Sequence, residues 1–119
     1  MNDKVKEIDG KILENGNIKI LQPGEILIQK NEVAENIYFV KNGKLIVLED
    51  ENHYLVESGS FINPIPVFNE KVYPFMVIAK SNSEIIYVNY KKTPHRQNLL
   101  FLYIQRKSIL SEINFLNYE

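Results

Sequence analysis

The chain has 119 residues, 45% hydrophobic and 24% charged, with a formal charge of −1. This is the composition of one globular domain with a real core, and a near-neutral chain lacks the basic field of a nucleic-acid surface. The absence of Cys excludes disulfides, thiolate metal sites and Cys nucleophiles, and no apolar run approaches the roughly 20 residues of a membrane span.

Residues 1–17 form a polar lead-in with Gly10 and Gly16, long enough for a helical turn. From Ile18 to Tyr90, short apolar runs recur at intervals of about ten residues, each closed by turn residues. The runs are Ile18–Leu21, Ile26–Ile28, Ile37–Val40, Leu45–Leu48, Tyr54–Val56, Phe61–Ile62, Phe75–Ala79 and Ile85–Val88. Short strands at this spacing build a sandwich, a barrel or a jelly roll. Several runs are apolar on both alternating faces, as in Ile37/Phe39 and Tyr38/Val40, so a neighbouring element is expected over the second face.

The turns have mechanisms. In Gln22-Pro23-Gly24-Glu25, Pro presets φ and Gly accepts a positive φ, which predicts a type II turn. Asn42-Gly43 between two apolar runs predicts a β-hairpin. Glu49 to His53 reads as a solvated hairpin tip. After the basic connector Lys91-Lys-Thr-Pro-His-Arg96, the stretch from Asn98 to Tyr118 contains no Gly or Pro and is apolar at helical spacing. Leu99, Leu102, Arg106, Ile109, Ile113 and Leu116 fall on a 3-4 ladder, which predicts a homodimer seam. Arg106 is its charged member and is expected to pair with Glu112 or with polar groups of the second copy. The second stripe, Leu100, Tyr103, Ile104 and Leu110, is expected to hold the helix on its own domain.

The run from Leu21 to Leu48, with its Pro-Gly-Glu turn and its Tyr38-Phe39-Val40-Lys41-Asn42-Gly43 stretch, resembles the cyclic nucleotide-binding domain family, which includes the effector domains of Crp/Fnr-type regulators. Gly59-Ser-Phe-Ile62 is similar to the start of that family's phosphate-binding cassette, and Val77-Ile-Ala79 and Glu84-Ile-Ile-Tyr-Val88 are similar to its closing strands. The resemblance implies a mainly β fold: a double-stranded β-helix (jelly roll, cupin-like) over residues 18–90. A connector and a long C-terminal dimerisation helix follow over 91–119.

The cassette itself departs from the pattern. Asn63 and Pro64 stand where the family has Gly and Glu, and Tyr73 stands where it has Arg, followed by Pro74 and Phe75. The resemblance assigns the Glu to the ribose hydroxyl and the Arg to the cyclic phosphate. Charged hydrogen bonds contribute about 1.5–3 kcal/mol each, so losing two weakens binding roughly 10²- to 10⁴-fold. Lys71 is a point charge two residues from the lost Arg and does not restore the fork geometry. The segment Asn63 to Phe75, with three Pro, is therefore expected to plug the old pocket. The competing expectation is an altered pocket for an apolar or aromatic small-molecule effector lined by Asn63, Ile65, Tyr73 and Phe75.

No other chemistry competes. His53 and His95 lie in turn-like contexts, so no metal and no cofactor is expected. The chain lacks a nucleophile elbow and a glycine-rich phosphate loop. The expected function is a cytoplasmic, non-catalytic sensor or regulatory module that does not bind cyclic nucleotides in the family manner, contacts neither DNA nor membrane directly, and acts as a homodimer. The alternatives are the effector domain of a Crp/Fnr-type transcriptional regulator lacking its helix-turn-helix part, and a small cupin-type enzyme.

Overall fold

The computed structural model describes residues 3–13, 16–93 and 96–117, with side chains at all of these except 12 and 111–117. In chain order the elements are α1 (Asp3–Ile12), β1 (Asn17–Leu21), β2 (Ile26–Ile28), β3 (Asn36–Asn42), β4 (Lys44–Glu49), β5 (Asn52–Glu57) and β6 (Ser60–Phe61). Then come α2 (Ile65–Phe68), β7 (Met76–Ala79), β8 (Ser83–Asn89) and α3 (Gln97–Asn117). Each predicted apolar run therefore lies on or overlaps a strand. The strands form two antiparallel four-stranded sheets, β1-β8-β3-β6 and β2-β7-β4-β5. This is the mainly β jelly roll with a long C-terminal helix.

The chain divides into two units, Gly16–Lys91 and the two ends Met1–Asn15 with Lys92–Glu119. In the strand unit the inner faces supply the core. Val40 and Ile85 are directly opposed on one sheet, and Leu45, Val47 and Val77 line the other; all five are buried. Each such aliphatic side chain contributes about 1.5–3 kcal/mol on full burial.

The Gln22–Glu25 turn forms as predicted, with Gly24 at φ 90° and the Glu25 N–H donating to the Gln22 carbonyl at 3.1 Å. Asn42-Gly43 does not close a hairpin. β3 pairs with β8 and β6, whereas β4 pairs with β5 and β7, so the chain switches sheets at Gly43. The reason is close approach. Gly43 has φ 106°, and a Cβ there would lie 2.3 Å from Ser83 Oγ and 2.7 Å from the Asn82 carbonyl oxygen. Only glycine lets the chain turn this corner against the β7–β8 connection. β4 and β5 do form the acidic-tipped hairpin, with Asp50 in the left-handed region at φ 55°.

In the terminal unit, α1 and α3 pack on each other. The lead-in is a ten-residue helix rather than a single turn. Among its described side chains, Val5 and Ile8, one turn apart, are buried.

Candidate functional site

The segment from Gly59 to Phe75 is where the cassette stands in the resembled family. It begins on β6, with Phe61 opposite Phe39 of β3 and the Ile62 N–H donating to the Tyr38 carbonyl at 3.0 Å. Asn63 Oδ1 then accepts from the Ile65 N–H at 3.1 Å and starts α2. One helical turn forms here despite the prolines. Pro64 and Pro66 lie at its first positions, where an N–H has no intrahelical acceptor. Val67 is buried, and the Phe68 ring meets the Tyr90 ring edge-on at 5.3 Å.

The following residues are strapped to the β2–β3 loop. The Ala34 N–H donates to the Lys71 carbonyl at 2.9 Å, Val33 bridges Val72, the Tyr73 N–H donates to the Glu32 carbonyl at 2.9 Å, and the Asn31 N–H donates to the Tyr73 carbonyl at 2.8 Å. This ladder drives the Tyr73 side chain inward. It is 1% exposed, its ring lies 5.5 Å from that of Phe75, and its hydroxyl donates to the Asn36 carbonyl at 2.7 Å. Beside it, Asn36 Nδ2 donates to the Tyr38 hydroxyl at 3.2 Å. Burial above all, reinforced by Tyr38, Glu32 and Glu35, holds the Tyr73 phenol far above the ordinary tyrosine range. Burial likewise raises Tyr38, against the opposing pull of its Asn36 bond. The carboxylates of Glu32 and Glu35 act on both phenols, which disfavours an anion there.

The four expected effector-pocket residues divide between core and surface. Tyr73 and Phe75 are core. Asn63 and Ile65 are exposed, and Asn63 spends its side-chain oxygen on α2. Lys71 is exposed. The strap to residues 31–34 and the Asn36 acceptor carry no local sequence signal, because they join segments about 40 residues apart.

The described members of the expected dimer ladder differ in exposure. Leu99 and Arg106 are buried, while Leu102 and Ile109 are half-buried; the side chains of Ile113, Leu116 and Glu112 lie outside the described residues. Arg106 is claimed within the chain: its Nε donates to Asp9 Oδ1 and its Nη2 to Asp9 Oδ2 at 3.5 Å. Asp9 of α1 supplies a carboxylate of the kind a buried guanidinium requires. Among the described side chains of α3, Phe101 and Ile104 are exposed apolar residues. His53 is an exposed β5 residue and His95 lies outside the described residues. Among the described residues, no group of three or more His, Cys, Asp or Glu is placed to hold a metal ion, and no helix is long and apolar enough to cross a membrane.

No curated protein matches the chain in sequence. Its fold resembles the Thermus thermophilus catabolite activator protein, with a TM-score of 0.71 and 13% identity over 94% of this chain and 55% of that one. It also resembles the N-terminal domain of a Streptomyces coelicolor A3(2) transcriptional regulator, with a TM-score of 0.70 and 12% identity over 91% of this chain and 84% of that one. A third likeness is the regulatory subunit of a cAMP-independent protein kinase A from Trypanosoma brucei, with a TM-score of 0.70 and 18% identity over 89% of this chain and 43% of that one. This chain thus spans about half the length of the first of these and less of the third. The sequence model of the cyclic nucleotide-binding domain matches residues 18–95, and with the two-sheet fold this places the chain in the cyclic nucleotide-binding domain family.

Proposed function

We propose that the chain is a non-catalytic regulatory module whose nucleotide position is closed by its own Tyr73. The observation that carries this reading is the Tyr73 hydroxyl: buried at the position the resemblance gives to the phosphate-binding Arg, it donates to Asn36 and offers an anion nothing. Pro64 stands at the position of the ribose-binding Glu and has neither a carboxylate nor a backbone N–H. Glu32 and Glu35 add negative potential beside the ring. Packing in place of binding makes the folded state independent of cyclic nucleotide, so the input is a partner or an assembly state.

Calorimetric titration with cyclic AMP or cyclic GMP at millimolar concentration tests the reading and should give no saturable heat. Micromolar binding sinks it, and loss of that binding in Lys71→Ala would identify a relocated cation. A second reading, the effector part of a transcriptional regulator, is favoured by the likeness to two such proteins. Sequencing the reading frame beyond Glu119 for a helix-turn-helix segment separates the two.

A further inference from the structure

The outer face of an antiparallel sheet in a soluble protein alternates toward polar residues. The β2-β7-β4-β5 sheet does not. Ile26 of β2 opposes Ile78 of β7, Ile78 opposes Ile46 of β4, and Ile46 opposes Leu55 of β5, so one aliphatic row crosses all four strands. Met76 and Leu48 are directly opposed in the adjoining row. The inner side of this sheet is set by the buried Leu45, Val47 and Val77, so by the pleat the row faces outward. None of the row is buried: Ile26 is 42% and Leu55 44% exposed, and Ile46 and Ile78 are half-buried. The other sheet also carries outward apolar residues, and Ile18 and Ile20 of its edge strand β1 are 59% and 65% exposed, but its central pair Ile37 and Val88 is buried within the chain.

We propose that the outer face of the β2-β7-β4-β5 sheet is the interface between two copies of this chain. A contiguous aliphatic patch rimmed by charge marks an interaction surface. The rim selects the occupant. At one end of the patch the outward-facing groups are Lys44, its cross-strand neighbour Glu57, and Lys80, an excess of positive charge on that face; Glu25 at the same end turns its carboxylate onto the Gln22 N–H. At the other end the β4–β5 tip carries Glu49, Asp50 and Glu51 against one cation, Lys30, whose Nζ lies 3.6 Å from Asp50 Oδ1. A two-fold axis lying between the sheets and across the strands puts each basic end over the acidic tip of the other copy. The aliphatic rows then meet at the centre. The surface complements itself, as a closed two-fold interface requires.

Sedimentation velocity of the full chain tests this. The wild type should sediment as a dimer at tens of micromolar. Leu55→Glu should weaken association about a hundredfold or more, because it places two carboxylates in the dry centre, while the far-ultraviolet spectrum is unchanged. Ile26→Glu, on the exposed edge strand, serves if the first variant fails to fold. Lys80→Glu should weaken the dimer about tenfold, and adding Glu51→Lys should restore it. A monomeric wild type overturns the proposal, as does a folded Leu55→Glu that still dimerises. Dissociation by Phe101→Glu alone moves the interface to α3. Failure of the charge exchange to restore the dimer overturns the proposed orientation.

Discussion

If Tyr73 is the plug, its ring and its hydroxyl contribute to stability separately, and two substitutions divide them. Tyr73→Phe keeps the ring beside Phe75 and removes the 2.7 Å bond to the Asn36 carbonyl. The net loss is about 1 kcal/mol, rising toward 3 kcal/mol if the carbonyl is left without another donor. Tyr73→Ala removes the ring as well, at a site 1% exposed, and should cost about 3–5 kcal/mol because the surrounding core collapses only partly. For a chain of this length each kcal/mol lowers Tm by about 3–6 °C, so the two variants separate cleanly in a calorimetric scan. Urea titration at constant slope gives the same differences independently. An Ala variant within about 0.5 kcal/mol of wild type would refute the reasoning, since the segment would then rest over an open pocket rather than fill it.

The same phenol sets a pH dependence. Its folded pKa lies above the ordinary 10.0, so as pH rises past that value the unfolded chain sheds the proton first and stability falls. The loss per group is about 1.4 kcal/mol per pH unit, absent below about pH 9, and denaturant titration should find it shallower by that amount in Tyr73→Phe. Gly43→Ala should destabilise by about 1–3 kcal/mol in thermal unfolding, because the new methyl meets Ser83 and the Asn82 carbonyl and φ is 106°. Asp9→Asn takes one carboxylate from buried Arg106 and should cost about 1–3 kcal/mol, read as faster amide exchange in α1 and α3 with the strand amides unchanged.

What was legible in the sequence was what local physics decides. The Pro23-Gly24 turn forms because two adjacent residues fix two dihedrals, and the strands lie where apolar residues cluster between breakers. Asn42-Gly43 has the same local signature as a hairpin, and the steric demand for Gly was real. Which sheet each flanking strand joined was decided elsewhere, by the approach of Ser83, about 40 residues away. α1 was underestimated for a related reason. Its short apolar stripe, Val5 and Ile8, is interrupted by Gly10, and its charged anchor Asp9 has its partner 97 residues on. The double-sided apolar character of the strands was legible. On the β2-β7-β4-β5 sheet, however, the second face is only half-buried at Ile46 and Ile78 and exposed at Ile26 and Leu55. At the site, the loss of the Arg position to Tyr73 was visible by resemblance, but its acceptor was not, because a backbone carbonyl carries no residue signature.

That asymmetry bears on how such a domain changes its function without losing its fold. A ligand held at a hundred times its dissociation constant adds about 2.7 kcal/mol to the folded state. A family member that gives up its nucleotide forfeits that term and keeps a polar cavity that must stay hydrated. Tyr73 meets both demands. Burying its ring contributes on the order of 1.5–3 kcal/mol, comparable with the lost ligand term. Its hydroxyl satisfies the Asn36 carbonyl from inside the chain. The strap from Asn31–Ala34 to Lys71–Tyr73 holds the cassette segment against the β2–β3 loop without a ligand. On the proposed reading, regulation enters through a surface rather than the pocket, and the aliphatic row on the second sheet is a surface of that kind.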